Sequence, residues 1–177
     1  MGKIIITRQI DAAIETVFAY VDDHKNTTKY MKGLTRWAPT TDVTHGKDAE
    51  FEVAMKAGPK TLNSVVHITA WTENKTIAWK SIAGFQQTGK WAFAKKGDGT
   101  AATFEMDYDL GGGIAGRMLA RAVDPFVKGN IEHSVEALKG IAEKLPAKKS
   151  ATQKPAGKAA TKTSAAKAPA RKSTRKR

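Results

Sequence analysis

The chain has 177 residues, no cysteine and a formal charge of +13, with 30 Lys+Arg against 17 Asp+Glu. The lack of cysteine excludes disulfide frameworks, thiol nucleophiles and Cys-ligated zinc, and fits a reducing compartment. No apolar run reaches the roughly 18 residues that cross a bilayer, and the three isoleucines of MGKIIITRQID are too few for a signal-peptide core, so a soluble cytoplasmic protein is expected.

Ile4 to Ile10 is β-branched and reads as a strand. Asp11 then stands where an N-cap belongs, ahead of a helix whose apolar residues Ile14, Val17, Phe18 and Val21 recur at helical spacing. A short second helix is expected over Lys25 to Met31, ended by Gly33. From there the period changes to two. Phe51, Val53 and Met55 alternate with Glu50, Glu52 and Lys56, and the run Leu62 to Trp71 follows a turn at Gly58-Pro59. Turn signals at Glu73-Asn74-Lys75, Gly84 and Gly97-Asp98-Gly99 separate Ile77–Ile82, Thr88–Ala94 and Ala101–Leu110. Connections this short allow only antiparallel hairpins.

The last run alternates most cleanly, with Phe104, Met106, Tyr108 and Leu110 on one face against Glu105, Asp107 and Asp109 on the other. After Gly111-Gly112-Gly113 a helical pattern runs from Ile114 to Lys144. Its apolar stripe is expected to hold Ile114, Met118, Leu119, Ala122, Val123, Phe126, Val127, Ile131, Val135, Leu138, Ile141 and Ala142. Pro125 removes one backbone donor inside this helix, so a kink near Val123 is expected. This order predicts an α+β fold: a curved antiparallel sheet of about seven strands, with two short helices after strand 1, wrapped around the long C-terminal helix. A curved sheet cannot touch a helix everywhere, so a cavity is expected between them, its mouth and depth set by the glycine hinge and the proline.

IDAAIETVFAYVDD and the short helix after it, the hairpin TGKWAFAKKGDGTAATFEMDYDL and the helix GRMLARAVDPFVKGNIEHSVEALKGIAEK together resemble the START-like helix-grip (SRPBCC) superfamily. The similarity is to its polyketide cyclase/dehydrase branch and covers about Lys3 to Lys144. The resemblance implies a hydrophobic small molecule, lipid- or polyketide-like, held between sheet and long helix. The inward candidates for contacting it are Phe51, Met55, Trp79, Trp91, Phe93, Phe104, Met106 and Tyr108 from the sheet, with Met118, Ala122 and Phe126 from the helix. Arg117 and Arg121, one helical turn apart beyond the glycines, could flank the mouth and meet a carboxylate or phenolate.

No catalytic residue stands out. His67 sits on the face of its strand opposite Val66 and Ile68, His133 lies between Glu132 and Ser134, and neither has a partner visible in the sequence. Histidines at 24, 45, 67 and 133 carry no metal-ligand spacing, and Gly111 to Gly116 is no phosphate-binding loop, so neither metal nor cofactor is expected. An enzyme of the aromatase/cyclase kind, with Arg117 or Tyr108 polarising a carbonyl, is the alternative to plain binding. A nucleoid-associated protein with a filled globular core is the third reading.

Residues 146–177 form a second segment after the domain 1–145. Of the 30 Lys+Arg, eleven fall here: Lys148, Lys149, Lys154, Lys158, Lys162, Lys167, Arg171, Lys172, Arg175, Lys176 and Arg177, with no acidic residue among them. The first 145 residues therefore hold 19 basic against 17 acidic groups, close to neutral. A segment of Lys, Ala, Pro, Ser and Thr cannot bury enough apolar surface to offset its backbone entropy, so it is expected to be disordered when free. Its composition resembles linker-histone tails. Without aromatics to stack on bases, it is expected to bind DNA or RNA electrostatically and without sequence preference, which makes a nucleoid association possible for an otherwise cytoplasmic protein.

Overall fold

A computed structural model of the protein describes residues 2–146. All eleven basic residues of the C-terminal segment named above lie outside the described residues. The elements run β1 (Gly2–Ile10), α1 (Ile14–Asp22), a 3-10 turn (His24–Asn26), α2 (Thr27–Tyr30), β2 (Leu34–Pro39), β3 (Glu50–Ala57), β4 (Lys60–Thr72), β5 (Thr76–Gly84), β6 (Gln86–Lys96), β7 (Gly99–Asp109) and α3 (Gly113–Ala142). The seven strands form one antiparallel sheet in the order β1-β7-β6-β5-β4-β3-β2, so β1 closes against the last strand while β2 is the opposite edge. This is the expected helix-grip architecture.

The turn residues behave as their chemistry requires. Two-residue connections at Gly58-Pro59 and Gly97-Asp98 place Gly58 at φ 60° and Gly97 at φ 61°, and Asn74 takes φ 56° in the three-residue turn between β4 and β5. Register shifts between Val65 and Val66, and between Ile68 and Ala70, add local bends to β4. In β7 the alternation is as read, with Ala102, Phe104, Met106 and Tyr108 buried.

Four sequence expectations need correction. Asp11 does not cap α1: the N-cap is Ala13, with no side-chain cap bond, and the Asp11 amide instead donates to Glu143 Oε1 at 3.0 Å. The strand β2 carries no alternation signal in LTRWAP and is absent from the sequence-based elements, being a short edge strand that pairs along one side only. The buried stripe of α3 is narrower than expected. Val123, Val127, Ile131, Val135, Leu138 and Ala142 are buried, but Ile114 is 71% exposed, Met118 66% and Phe126 49%. Met118, Ala122 and Phe126 each stand one position before Leu119, Val123 and Val127, about 100° further round the helix, and so cannot share their face. Finally, His67 does have partners, lying 3.4 Å from both Asp48 and Glu50 on the face away from the core.

The second half of α3 is pinned to the sheet and to the α2–β2 connection by polar contacts. The Lys32 amide donates to Ser134 Oγ (2.7 Å), which donates to the Asn130 carbonyl (2.6 Å), and Asn130 Nδ2 donates to the Lys56 carbonyl (2.8 Å). Near the other end Lys139 Nζ donates to the Gln9 carbonyl at 2.9 Å. These bonds tie the helix to backbone groups of the α2–β2 connection, β3 and β1. They fix the helix end that faces α1 and α2, leaving the Gly113–Ala122 half to its own contacts.

Candidate functional site

The concave face of the sheet is walled by aromatic rings. Trp91 meets Phe104 edge-on at 4.9 Å between centroids, Trp91 stacks on Phe93 at 5.9 Å, and Phe18 meets Phe93 at 5.5 Å and Trp71 at 5.7 Å, both edge-on. Such pairs each add about 0.5–1.5 kcal/mol beyond area burial. Trp79 keeps its place because its partner across the β5–β6 pair is a glycine. A β-carbon at Gly89 would stand 2.1 Å from Trp79 Cζ2. Gly89→Ala is therefore expected to drive the indole off the sheet, costing about 1–3 kcal/mol as overpacked core positions do. Urea unfolding followed by tryptophan emission measures both effects.

Among the described residues, small separate voids lie against this wall rather than one large cavity, and three of them matter here. The first, about 40 Å³, sits between α1 and the 40–49 loop, with Asp22, His45, Phe51 and Trp71 in its lining. A second of about 50 Å³ is bounded by Tyr30, Met31, Trp79 and Trp91. The third, about 30 Å³, reaches Met55, Phe104, Met106 and Ile131. They run in series. The first two share Val21, Thr27, Trp37, Ile68 and Ile77, the second and third share Met31, Trp37 and Trp79, and Trp37 alone lines all three. On this measure a water needs about 10–15 Å³, so each void has room for about two to four waters, far below the 300 Å³ or more of a typical ligand site.

Trp37 stands on the edge strand β2, half-buried and stacked on Phe51 at 5.0 Å and 21°. The 40–49 loop borders the first void, and there His45 Nδ1 lies 2.8 Å from Asp22 Oδ2 and the His45 ring meets Trp71 edge-on. Asp22 Oδ1 also accepts from Trp71 Nε1 at 2.7 Å. The interior holds few polar groups. Burial pushes the Tyr30 phenol well above its ordinary range, so Tyr30 stays neutral.

The sequence-based site residues separate into three groups. Phe51, Met55, Trp79, Trp91, Phe104 and Met106 line the voids, and Phe93 backs them through Trp91 and Phe18. Tyr108 and Arg117 instead line a separate groove of about 450 Å³ between the β1–β7 edge and the first half of α3. Met118, Ala122 and Phe126 border none of the voids, and the Phe126 ring covers Gly58 at the β3–β4 turn. The glycine hinge and Pro125 belong to the outer groove too, so α1, α2 and the 40–49 loop close the interior where those residues were expected to. Sequence reasoning named neither Met31 nor Trp37 among the inward residues. No pattern in LTRWAP tells which way its tryptophan points.

A curled antiparallel sheet holding a long C-terminal helix, with an aromatic-walled space on its inner face, defines the helix-grip fold. The chain belongs to the family described as polyketide cyclase/dehydrase and lipid transport, whose model matches residues 1–143. Its structure is similar to that of TTHA0849 from Thermus thermophilus, with a TM-score of 0.69 and 21% identity, covering 80% of this chain and 97% of that one. A START superfamily protein from Mycobacterium smegmatis gives a TM-score of 0.60 at 19% identity, covering 80% of this chain and 97% of that one. The di-domain ARO/CYC StfQ from the steffimycin biosynthetic pathway gives 0.61 at 14% identity, covering 80% of this chain and 50% of that longer one. At these identities the likeness is one of fold. No curated protein matches the chain in sequence. Among the described residues no helix is long and apolar enough to cross a membrane, and no group of His, Cys, Asp and Glu is placed to hold a metal ion.

Proposed function

We propose that residues 1–145 bind a hydrophobic small molecule, lipid- or polyketide-like, along the concave face of the sheet. The observation that carries this is the series of voids with Trp37 in every wall. Trp37, on an edge strand, borders every void, and an outward swing of its ring is the movement proposed to join them into a single channel. The lining is rich in aromatics and methionine, which reshape around an irregular apolar guest, and Thr27 and Tyr30 supply a small number of polar contacts. Native mass spectrometry of gently purified protein tests the reading. A bound apolar species released on denaturation supports it; a clean apo mass that persists after incubation with fatty acids and polyphenols rejects it.

A cyclase reading remains tied to the family and draws its catalytic groups from elsewhere than first expected. Arg117 and Tyr108 line the outer groove, and in the second void Tyr30 and Thr27 are the polar side chains able to hydrogen-bond a guest carbonyl. Turnover of a linear poly-β-ketone that is lost in Tyr30→Phe would favour it over binding alone.

The basic C-terminal segment is proposed to tether the protein to DNA or RNA, placing it at the nucleoid. The support is its composition, eleven cations without an acid in 32 residues, beside a nearly neutral remainder. Contacts from such a segment go to phosphates and carry no sequence information.

A further inference from the structure

The outer groove shares no lining residue with the three interior voids, and its chemistry is of a different kind. Its walls carry four cations, Lys3, Arg117, Arg121 and Lys128, against two acids, Asp109 and Asp124. Both acids are already committed. Asp124 Oδ1 accepts the Tyr108 hydroxyl and Asp124 Oδ2 pairs with Lys128 Nζ at 2.8 Å, while Asp109 Oδ1 accepts the Gly111 amide at 3.0 Å. Burial alone would push the Asp124 carboxyl up, but the bonds from Lys128 and Tyr108 and the Lys128 charge outweigh it and hold the group ionised. The Tyr108 phenol is pushed up in turn, by burial and by its bond to Asp124, so it stays a donor to that carboxylate. Arg117 and Arg121 are thereby left over, with no hydrogen bond or ion pair to any described residue.

From this arrangement we infer that the groove between the β1–β7 edge and α3 binds the phosphate of a small organic phosphate monoester, clasped by Arg117 and Arg121. The two guanidiniums stand one turn apart on the same helix face, their β-carbons about 6 Å apart, and each presents a planar fork of parallel N–H donors. One fork saturates a carboxylate, which has two oxygens. Two forks suit a tetrahedral dianion with three terminal oxygens. Leu110, Ala120 and Pro125 supply an apolar border for the organic part, and about 450 Å³ is enough for a ligand of modest size. The Tyr108–Asp124–Lys128 chain acts as a positioning device: it occupies both oxygens of the Asp124 carboxylate, which is thereby kept from bridging to the arginines and filling the site.

The test is calorimetric titration of the full chain with phenyl phosphate, alongside sedimentation with phosphatidate or phosphatidylcholine vesicles, in wild type and two double variants. Wild type is expected to saturate at one site. The double variant Arg117→Ala with Arg121→Ala should weaken it at least about tenfold, and Arg117→Lys with Arg121→Lys about fivefold, because the charge stays while the forks go. Melting curves that match wild type show that the variants fold, and the basic C-terminal segment is common to all of them. Arginine-dependent binding to phosphatidate but not phosphatidylcholine vesicles, without saturation by phenyl phosphate, keeps the site and puts its phosphate on a lipid. Equal binding by wild type and the alanine variant, with both probes, overturns the site. Undiminished affinity in the lysine variant overturns the forked recognition. Neither outcome touches the interior voids, so this inference and the proposed function fail separately.

Discussion

A chain stopped at Leu145 is expected to lose all measurable affinity for duplex DNA, while the full chain binds with steep salt dependence. The reason is the distribution of charge: nearly the whole excess of +13 sits in the final 32 residues. If about eight of those eleven cations engage phosphates, log K falls with log salt at a slope near −7, which amounts to about a 10⁴-fold loss between 50 and 200 mM. Gel shifts with two unrelated duplexes should give the same affinity, since nothing in the segment can read a base edge. Serine or threonine phosphorylation there would cancel cationic charge and flatten the slope. Binding by the truncated chain equal to that of the full one would instead move the polyanion contact onto the globular part, where Arg117 and Arg121 are the free cations facing the outer groove.

Trp37→Ala is expected to tighten the binding of a fatty-acid-like probe about tenfold while lowering stability by about 2 kcal/mol. The indole borders all three voids; on the proposed gating a guest binds only to the fraction of molecules in which the ring has moved, and the apparent affinity is reduced by that fraction. Moving the ring costs the stack on Phe51, about 0.5–1.5 kcal/mol, and some buried apolar contact. Alanine removes that requirement; tenfold in affinity corresponds to about 1.4 kcal/mol. The same substitution exposes Phe51 and leaves a cavity, which is the source of the stability loss. Trp37→Phe should fall between. A fall in affinity with alanine would make Trp37 part of the surface that holds the guest, and the gate would have to lie elsewhere.

How far the residues announced this structure depends on how locally each feature is encoded. The strands β3 to β7 and their turns were legible because alternation and turn chemistry are properties of neighbouring residues, as in FEMDYDL or the Gly97-Asp98 turn. The edge strand β2 was not, because its formation depends on pairing with β3 some fifteen residues away and its own residues do not alternate. In α3 periodicity gave the helix but overstated its buried face. A twelve-residue stripe covers more of the circumference than one sheet can meet, and which part wins is settled by contacts such as Ser134 to Lys32. Six of the eight sheet-side candidates line the voids, and they followed from inward parity alone. Tyr108 shows its limit: it has the right parity and is buried, yet it lies where the strand passes the end of the apolar face, and its hydroxyl serves Asp124. The glycine hinge precedes the long helix and on that ground belonged at the mouth of the interior, whereas the space is closed from the other side by α1, α2 and the 40–49 loop.

All four tryptophans of the chain, Trp37, Trp71, Trp79 and Trp91, line the voids, which makes one measurement decisive. Titration with a polyene fatty acid whose absorption overlaps indole emission should saturate at one equivalent, with tryptophan emission falling as probe emission rises. A probe that never saturates, or that binds while leaving the tryptophans unquenched, would mean that the concave face takes no guest.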